Sequence, residues 1–156
     1  MKIIFFGTPI FAANNLQYLI DKKHNIIATV SPPDSRKGRG NHLQPCAVKV
    51  TALKNKIPNL QPEKLKSEKF INTLKHFNAD LFIVVAFRML PENVWSIPLK
   101  GTVNLHASLL PKYKGAAPIN RVLINGEKET GITSFFINNK IDSGKIIMQQ
   151  NIKLNN

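Results

Sequence analysis

Cysteine is nearly absent from this sequence, and its scarcity narrows the class of protein. The single cysteine, Cys46, excludes an internal disulfide and a cysteine-based zinc site, and it favours a reducing cytoplasm as the location. No apolar run approaches the roughly 18 residues that a membrane-spanning helix needs. The opening stretch, residues 1–7, is too short for a signal peptide and predicts a first core strand instead.

Acidic residues are also scarce. Lys and Arg number 22 against 9 Asp and Glu, which gives a formal net charge of +13. A field of this sign attracts polyanions such as tRNA. The chain is also rich in Lys, Asn and Ile, as proteins of AT-rich genomes are. Charge alone therefore leaves open whether the protein binds a nucleic acid.

The order of the apolar segments predicts a single α/β domain. Strands are predicted at residues 2–6, 25–30, 57–60, 81–85, 102–106, 130–137 and 146–152. Helices are predicted at residues 9–23, 44–56, 67–77 and 118–125, with Ser67 as an N-cap. Residues 31–42 contain two Pro, two Gly and three cations, which predicts a flexible basic loop. The alternation indicates an open, doubly wound, mostly parallel sheet of Rossmann-like type, whose ligands bind beyond the carboxyl ends of the central strands.

Two polar residues close one of these central strands. Asn104 and His106 occupy positions i and i+2 of the strand at 102–106, so both side chains project to the same face. A carboxamide donor beside an imidazole suits the stabilisation of an oxyanion and the handling of a proton in acyl transfer. Asp142, in the turn before Gly144, would fix the imidazole tautomer if it reached His106. Taken alone, a hydrogen-bonded structural His and a turn-forming Asp would fit the same pattern.

The turn after the first strand, Gly7-Thr8-Pro9, lacks the G-x-G-x-x-G pattern of dinucleotide-binding proteins. A nicotinamide cofactor is therefore not expected, and no metal site is predicted.

Several segments together resemble one family, the folate-dependent formyltransferases. The resemblance rests on Asn104-Leu105-His106, on Ser108-Leu109-Leu110-Pro111 with Gly115-Ala116-Ala117-Pro118 behind it, and on Ile141-Asp142-Ser143-Gly144. Ile4-Phe5-Phe6-Gly7-Thr8-Pro9, the loop from Pro33 to Gly40, and Gln61-Pro62 are similar to members that act on methionyl-tRNA. The chain lacks the Gly-Asn-Gly-Ser-type phosphate loop of members that formylate glycinamide ribonucleotide. The similarity extends from residue 2 to about residue 150.

The resemblance implies roles for individual residues. Asn104, His106 and Asp142 match the family's catalytic Asn, His and Asp. The residues implied to contact folate are Phe87, Arg88, Met89 and Leu90, together with Ser108, Leu109, Leu110 and Pro111. The loop with Arg36, Lys37 and Arg39 matches an insertion that approaches the acceptor arm of tRNA, although a solvated surface loop would have the same composition.

The resemblance also implies a reaction. A formyl group would pass from the co-substrate 10-formyltetrahydrofolate to the α-amine of methionyl initiator tRNA, without a metal, in support of translation initiation. A cytoplasmic monomer is expected. Members of the family are much longer and continue with a last helix, a linker and a small tRNA-binding β-barrel domain. Residues 1–156 are therefore expected to be a catalytic domain that is incomplete at its C-terminus.

Two alternatives remain open. One is another formyltransferase, or a formyltetrahydrofolate hydrolase, on the same scaffold. The other is a catalytically silent remnant that binds tRNA or folate.

Overall fold

The computed structural model describes residues 1–37 and 41–154, and for Lys37 the backbone alone. Its helices are α1 (Ile10–Asp21), α2 (Ala47–Lys54), α3 (Glu68–His76), α4 (Glu92–Trp95) and α5 (Pro118–Ile124). Its strands are β1 (Lys2–Gly7), β2 (Asn25–Val30), β3 (Ser35–Lys37), β4 (His42–Gln44), β5 (Asn59–Leu60), β6 (Leu81–Val85), β7 (Thr102–His106), β8 (Glu129–Phe136) and β9 (Ile146–Lys153).

Seven strands form one sheet in the order β5-β2-β1-β6-β7-β8-β9. The pairs from β5 to β7 are parallel, and the pairs β7–β8 and β8–β9 are antiparallel. The chain runs outward from β1 to β2 and β5, and then returns to place β6 on the other side of β1. This confirms the predicted open, doubly wound, mostly parallel sheet in a single α/β domain.

The central strands are buried on both faces of the sheet. Ile4 and Phe6 of β1 pack in one apolar cluster with Leu74 of α3. Ile3 and Phe5, which alternate with them, pack in a second cluster with α1 and α2 on the opposite face. Covering both faces requires apolar residues at every position, which explains the unbroken apolar runs of β1 and β6.

The segment predicted to be a flexible basic loop contains β3 and runs into β4, and these two strands form a hairpin. Strands β3 and β4 pair antiparallel, with Ser35 opposite Gln44 and Arg36 opposite Leu43. The side chains described in this hairpin are exposed, and Leu43 is 67% exposed. A two-stranded ribbon that buries neither face has no apolar alternation, so the strands left no periodic pattern to recognise.

The helices also depart from the prediction, most clearly at α2 and α4. Helix α2 begins at Ala47 rather than at residue 44, because Gln44 belongs to β4. The single turn α4 was not predicted, since four residues are too few to show a helical period. Ser67 is confirmed as the N-cap of α3, where its hydroxyl accepts a hydrogen bond from the backbone N–H of Phe70.

A polar cluster connects the base of the hairpin to the sheet. The Asp34 carboxylate, just before β3, accepts hydrogen bonds from Lys49 Nζ and Gln61 Nε2, each at 2.7 Å. Lys49 also donates to Gln61 Oε1 at 2.7 Å, and Gln61 donates to the carbonyl of Pro32 at 2.8 Å. Three side chains thus join the segment before β3, helix α2 and the segment after β5.

This cluster should make stability depend on pH. Hydrogen bonds, first from Lys49 and then from Gln61, hold the pKa of the Asp34 carboxyl below its ordinary value. A carboxyl with a lowered folded-state pKa stabilises the fold above its unfolded-state pKa, and this stabilisation is lost as the pH falls through the folded-state pKa. We expect Asp34→Asn to lower the free energy of unfolding near neutral pH, and the difference from wild type to vanish in acid. Urea unfolding across this pH range measures both, and a difference that persisted in acid would contradict the role of the charge.

Candidate active site

A cavity of about 910 Å³ opens at the carboxyl ends of β1, β6 and β7. In doubly wound sheets this edge, next to the point where the strand order reverses, is where ligands bind. The volume lies within the range of pockets that hold small molecules and cofactors. The location of the cavity is therefore the one that the sequence analysis predicted.

The two predicted polar residues of β7 lie on the wall of this cavity. Asn104 pairs with Val84 of the parallel neighbour β6, and His106 pairs with Thr133 of the antiparallel neighbour β8. His106 is 7% exposed, so its imidazole is held largely inside the protein. Strand geometry places the two side chains on the same face, as their spacing predicted.

Asp142 reaches the same imidazole from the turn between β8 and β9. Its Oδ2 lies 3.6 Å from Nδ1 of His106, and the two side chains are 14% and 8% exposed. The same oxygen accepts a hydrogen bond from the backbone N–H of Gly115 at 2.7 Å. Because 3.6 Å exceeds the length of a normal hydrogen bond, Nδ1 is close to the carboxylate without being tied to it. The structure thus brings together the amide, the imidazole and the carboxylate at one cavity.

The second nitrogen of the imidazole has a partner that was not predicted. Nε2 of His106 lies 2.9 Å from the backbone carbonyl oxygen of Tyr113. A carbonyl oxygen only accepts, so Nε2 carries the proton in this hydrogen bond. The sequence holds no signal for this contact, because every residue has a backbone carbonyl and only the folded chain shows which one faces His106.

The loop after β6 also lines the cavity. Phe87, Arg88, Met89 and Leu90, all predicted to contact folate, line the cavity. Arg88 donates to the carbonyl oxygens of Glu63 and Pro62, which holds the loop against the segment after β5. Met89 is 70% exposed, whereas Leu90 is 6% exposed and packs in the first apolar cluster, so Leu90 anchors the loop to the core.

The second segment predicted to contact folate, residues 108–111, lies outside the cavity wall. None of Ser108, Leu109, Leu110 and Pro111 forms part of the cavity wall. The backbone N–H of Leu110 donates to Thr133 Oγ1 at 3.1 Å, and the Ser108 hydroxyl donates to the Lys112 carbonyl at 2.7 Å. These hydrogen bonds hold the segment as a connection between β7 and residues 115–120. Its contact with folate stays a prediction.

Other wall residues were not assigned to the site by the sequence analysis. Apolar surface comes from Pro9, Phe11, Trp95, Phe135 and Ile137. The wall also includes Gly115, Ala116, Ala117, Pro118, Asn120, Asn138, Asn139 and Lys140. The Gly-Ala-Ala-Pro motif was noted as a pattern, and it places the N–H of Gly115 on Asp142. Gly115 has a φ of +87°, a conformation that glycine adopts without strain.

Two of the three residues predicted to contact tRNA, Arg36 and Lys37, lie in β3. Arg36 is exposed in β3, the side chain of Lys37 is not described, and Arg39 lies outside the described residues. Their binding role stays a prediction.

Residues 1–37 and 41–154 contain neither a metal-binding cluster nor a membrane-spanning helix. No three His, Cys, Asp or Glu side chains gather closely enough there to hold a metal ion. Among the helices of this described part, none has the length and apolar character needed to cross a membrane.

The sequence is similar to proteins of known activity. It is 53% identical over 154 residues to the methionyl-tRNA formyltransferase of Bacteroides fragilis, a match that covers 99% of this chain and 48% of that protein. The enzyme of the same name from Thermodesulfovibrio yellowstonii is 49% identical over 154 residues, covering 98% of this chain and 50% of that protein. The chain thus spans about half the length of the curated relatives that it matches.

Solved structures of low sequence identity share the fold. The phosphoribosylglycinamide formyltransferase of Streptococcus pneumoniae has a TM-score of 0.79 at 18% identity, covering 99% of this chain and 83% of that chain. A formyltetrahydrofolate deformylase of Pseudomonas syringae has a TM-score of 0.72 at 20% identity, covering 98% of this chain and 51% of that chain. A sequence model of the family described as Formyl transferase matches residues 1–156, the full length of the chain. From this match, the chain belongs to the formyl transferase family.

Proposed function

We propose that this chain is a catalytic domain that transfers a formyl group from 10-formyltetrahydrofolate to the α-amine of methionyl initiator tRNA, in the cytoplasm. The observation that carries the proposal is the convergence of Asn104, His106 and Asp142 on one wall of the cavity. The similarity to two methionyl-tRNA formyltransferases, at 53% and 49% identity, supports the choice of acceptor.

The three side chains suit the chemistry of amine formylation. The amine of methionine attacks the formyl carbon, and the formyl oxygen becomes the oxyanion of a tetrahedral intermediate. The Asn104 carboxamide and an N–H of protonated His106 donate hydrogen bonds to this oxygen. When the bond from carbon to N10 of the folate breaks, N10 takes a proton and the amine loses one. The products are formylmethionyl-tRNA and tetrahydrofolate.

Asp142 serves this reaction through its position. Its carboxylate places a negative charge 3.6 Å from Nδ1 of the ring. The N–H of Gly115 holds Oδ2 in place at 2.7 Å, so the carboxylate is fixed before substrate arrives. Asp142 is then close enough to help take the proton that the attacking amine releases.

The direct test of the proposal is a product assay. Purified protein is incubated with 10-formyltetrahydrofolate in the presence and absence of methionyl initiator tRNA, and formylmethionine and formate are measured. Formylmethionyl-tRNA supports the proposal. Formate released without tRNA would instead identify a hydrolase. Folate binding with neither product would identify a silent remnant and overturn the enzymatic proposal.

Folate binding can be measured by tryptophan fluorescence. Trp95 is the one tryptophan of the chain, and it lies on the cavity wall. We expect 10-formyltetrahydrofolate to change the emission of Trp95 in a saturable way. Phe87→Ala should weaken this binding about fivefold, because an aromatic contact contributes on the order of 1 kcal/mol.

The matched control for Phe87→Ala is Leu99→Ala. Leu99 is 98% exposed and lies outside the cavity wall, so its removal should leave the affinity for folate unchanged. If 10-formyltetrahydrofolate leaves the emission of wild type unchanged, the cavity does not hold folate.

The hairpin is proposed to contact tRNA phosphates. Replacing Arg36, Lys37 and Arg39 by alanine should weaken tRNA binding while leaving folate binding intact. For each phosphate that is no longer neutralised, the slope of log K against log salt concentration should also fall by up to about 0.9. Fluorescence anisotropy of labelled initiator tRNA across a salt series measures both quantities.

A charge-matched variant controls for the removal of three cations. Lys22 and Lys23 precede β2 and Lys100 precedes β7, at the opposite end of the sheet from the cavity. Replacing these three lysines by alanine should affect tRNA affinity much less. Equal decreases in both triple variants would indicate a contribution of overall charge without a hairpin site.

A further inference from the structure

Tyr113 contacts His106 on the side away from Asp142. Its carbonyl oxygen accepts the hydrogen bond from Nε2 at 2.9 Å, while Nδ1 lies 3.6 Å from Asp142. None of the steps proposed above uses Tyr113. The contact nevertheless restricts the imidazole, since Nε2 must keep its proton for the hydrogen bond to exist.

The backbone at Tyr113 is held in an unfavourable conformation. Its φ is +58°, in the left-handed region that a residue with a side chain adopts only at an energetic cost. Such a conformation persists only where surrounding contacts stabilise it. The strained residue is thus the one whose carbonyl faces the imidazole.

The ring of Tyr113 has the contacts that stabilise this conformation. Its hydroxyl donates to Glu127 Oε1 at 2.7 Å and accepts from Asn125 Nδ2 at 3.0 Å. The Arg121 guanidinium lies 5.5 Å from the ring centroid. All three partners belong to the last turn of α5 and the residues after it. The end of this helix therefore holds the tyrosine ring, while the tyrosine carbonyl contacts His106.

We propose that Tyr113 is a positioning residue for His106. Its carbonyl keeps the proton on Nε2 and fixes the plane of the ring, and its hydroxyl, bound by Glu127 and Asn125, keeps the carbonyl in place. Nδ1 is then the nitrogen that gives a proton to N10 of the folate as the bond from carbon to N10 breaks. It regains a proton from the attacking amine, with the help of Asp142. His106 alternates between the imidazolium, which donates from both nitrogens, and the neutral form that keeps its hydrogen on Nε2. The catalytic consequence rests on the proposed function, whereas the tautomer is a property of the folded protein without substrate.

Nuclear magnetic resonance of the histidine side chains tests the tautomer directly. In 15N-labelled protein, the His106 ring signals are assigned by their disappearance in His106→Gln. We expect neutral His106 in wild type to be protonated at Nε2 alone. In Tyr113→Phe, which lacks the hydroxyl, we expect a mixture of the two neutral tautomers. A wild-type protein protonated at Nδ1, or a Tyr113→Phe protein with the wild-type tautomer, would overturn the proposal.

Two matched variants distinguish a positioning role of Tyr113 from a general effect of substitution on the fold. Tyr18→Phe removes the only other tyrosine hydroxyl of the chain, on an exposed ring of α1, and should leave the His106 signals unchanged. Glu127→Gln keeps a carbonyl oxygen that accepts from the Tyr113 hydroxyl, and it should retain the wild-type tautomer. If Tyr113→Phe does not fold, Asn125→Ala and Glu127→Ala supply the same comparison from the other side of the hydrogen bonds.

The kinetic readout is a lower kcat at unchanged folate affinity. Tyr113→Phe should reduce kcat about tenfold, the lower end of the effect seen when the hydrogen-bond partner of a metal-binding histidine is removed. Its affinity for folate, from the emission of Trp95, should stay within about twofold. An equal decrease in affinity would mean that the cavity itself had changed. If wild type shows the expected tautomer and no formyl transfer, the proposed function fails while the positioning of His106 stands.

Discussion

Asn104→Ala and His106→Ala should each lower kcat at least about a hundredfold, while the protein remains folded. Removing one donor to an oxyanion typically costs a hundred- to thousandfold in rate, because the donor acts where negative charge develops in the transition state. Both side chains lie on the cavity wall, and neither belongs to the two apolar clusters of the core. The effect should therefore appear in kcat, measured as formylmethionyl-tRNA formed at saturating substrate.

Asn93→Ala serves as the control for these two variants. Asn93 is exposed on α4 and does not line the cavity, so its removal should leave kcat near the wild-type value. Circular dichroism and the emission of Trp95 check that each variant is folded. Turnover near the wild-type value in both Asn104→Ala and His106→Ala would exclude the proposed chemistry.

Gly144→Ala should reduce both stability and activity. A Cβ added at Gly144 would lie 1.6 Å from the carbonyl oxygen of Phe136, which belongs to the backbone of β8. Because this neighbour is not the end of a flexible side chain, the turn must shift. Overpacking of this kind costs roughly 1–3 kcal/mol in the free energy of unfolding. The shift would also move Asp142, two residues earlier, away from His106.

The displacement of Asp142 explains the expected decrease in activity. A misplacement of about 1 Å in a catalytic group can cost a hundredfold in rate, so we expect a decrease of about that size. Ser143→Ala is the control, since it removes an exposed hydroxyl from the same turn without adding an atom. It should change the free energy of unfolding by less than about 0.5 kcal/mol. Wild-type turnover in Gly144→Ala would show that the turn can move without affecting catalysis.

Part of the site was predictable from the sequence. Strand periodicity placed Asn104 and His106 on one face, and the order of the elements placed them at the edge where ligands bind. The contact of Asp142 with His106 was not predictable in this way, because 36 positions separate the two residues in the sequence. The pairing of β7 with β8, and the turn that Gly144 allows against Phe136, decide it.

The hairpin, in contrast, could not be predicted from the sequence. The sequence around Arg36 has the composition of a loop, and an exposed ribbon adds no apolar pattern that would reveal its strands. Its connection to the sheet through Asp34, Lys49 and Gln61 depends on polar side chains from three separate segments. Only their arrangement in space shows that these residues form a cluster.

The sequence by itself determined the α/β class, the central strands and the two residues of β7, because burial and side-chain alternation act locally and leave periodic patterns. Only the tertiary structure decided which nitrogen of His106 faces Asp142, and how the loop with Arg88 is anchored. The reason is physical: the Tyr113, Pro62 and Glu63 carbonyls that make these contacts are backbone groups. Every residue carries such a carbonyl, so only the folded path of the chain shows which carbonyl meets which donor.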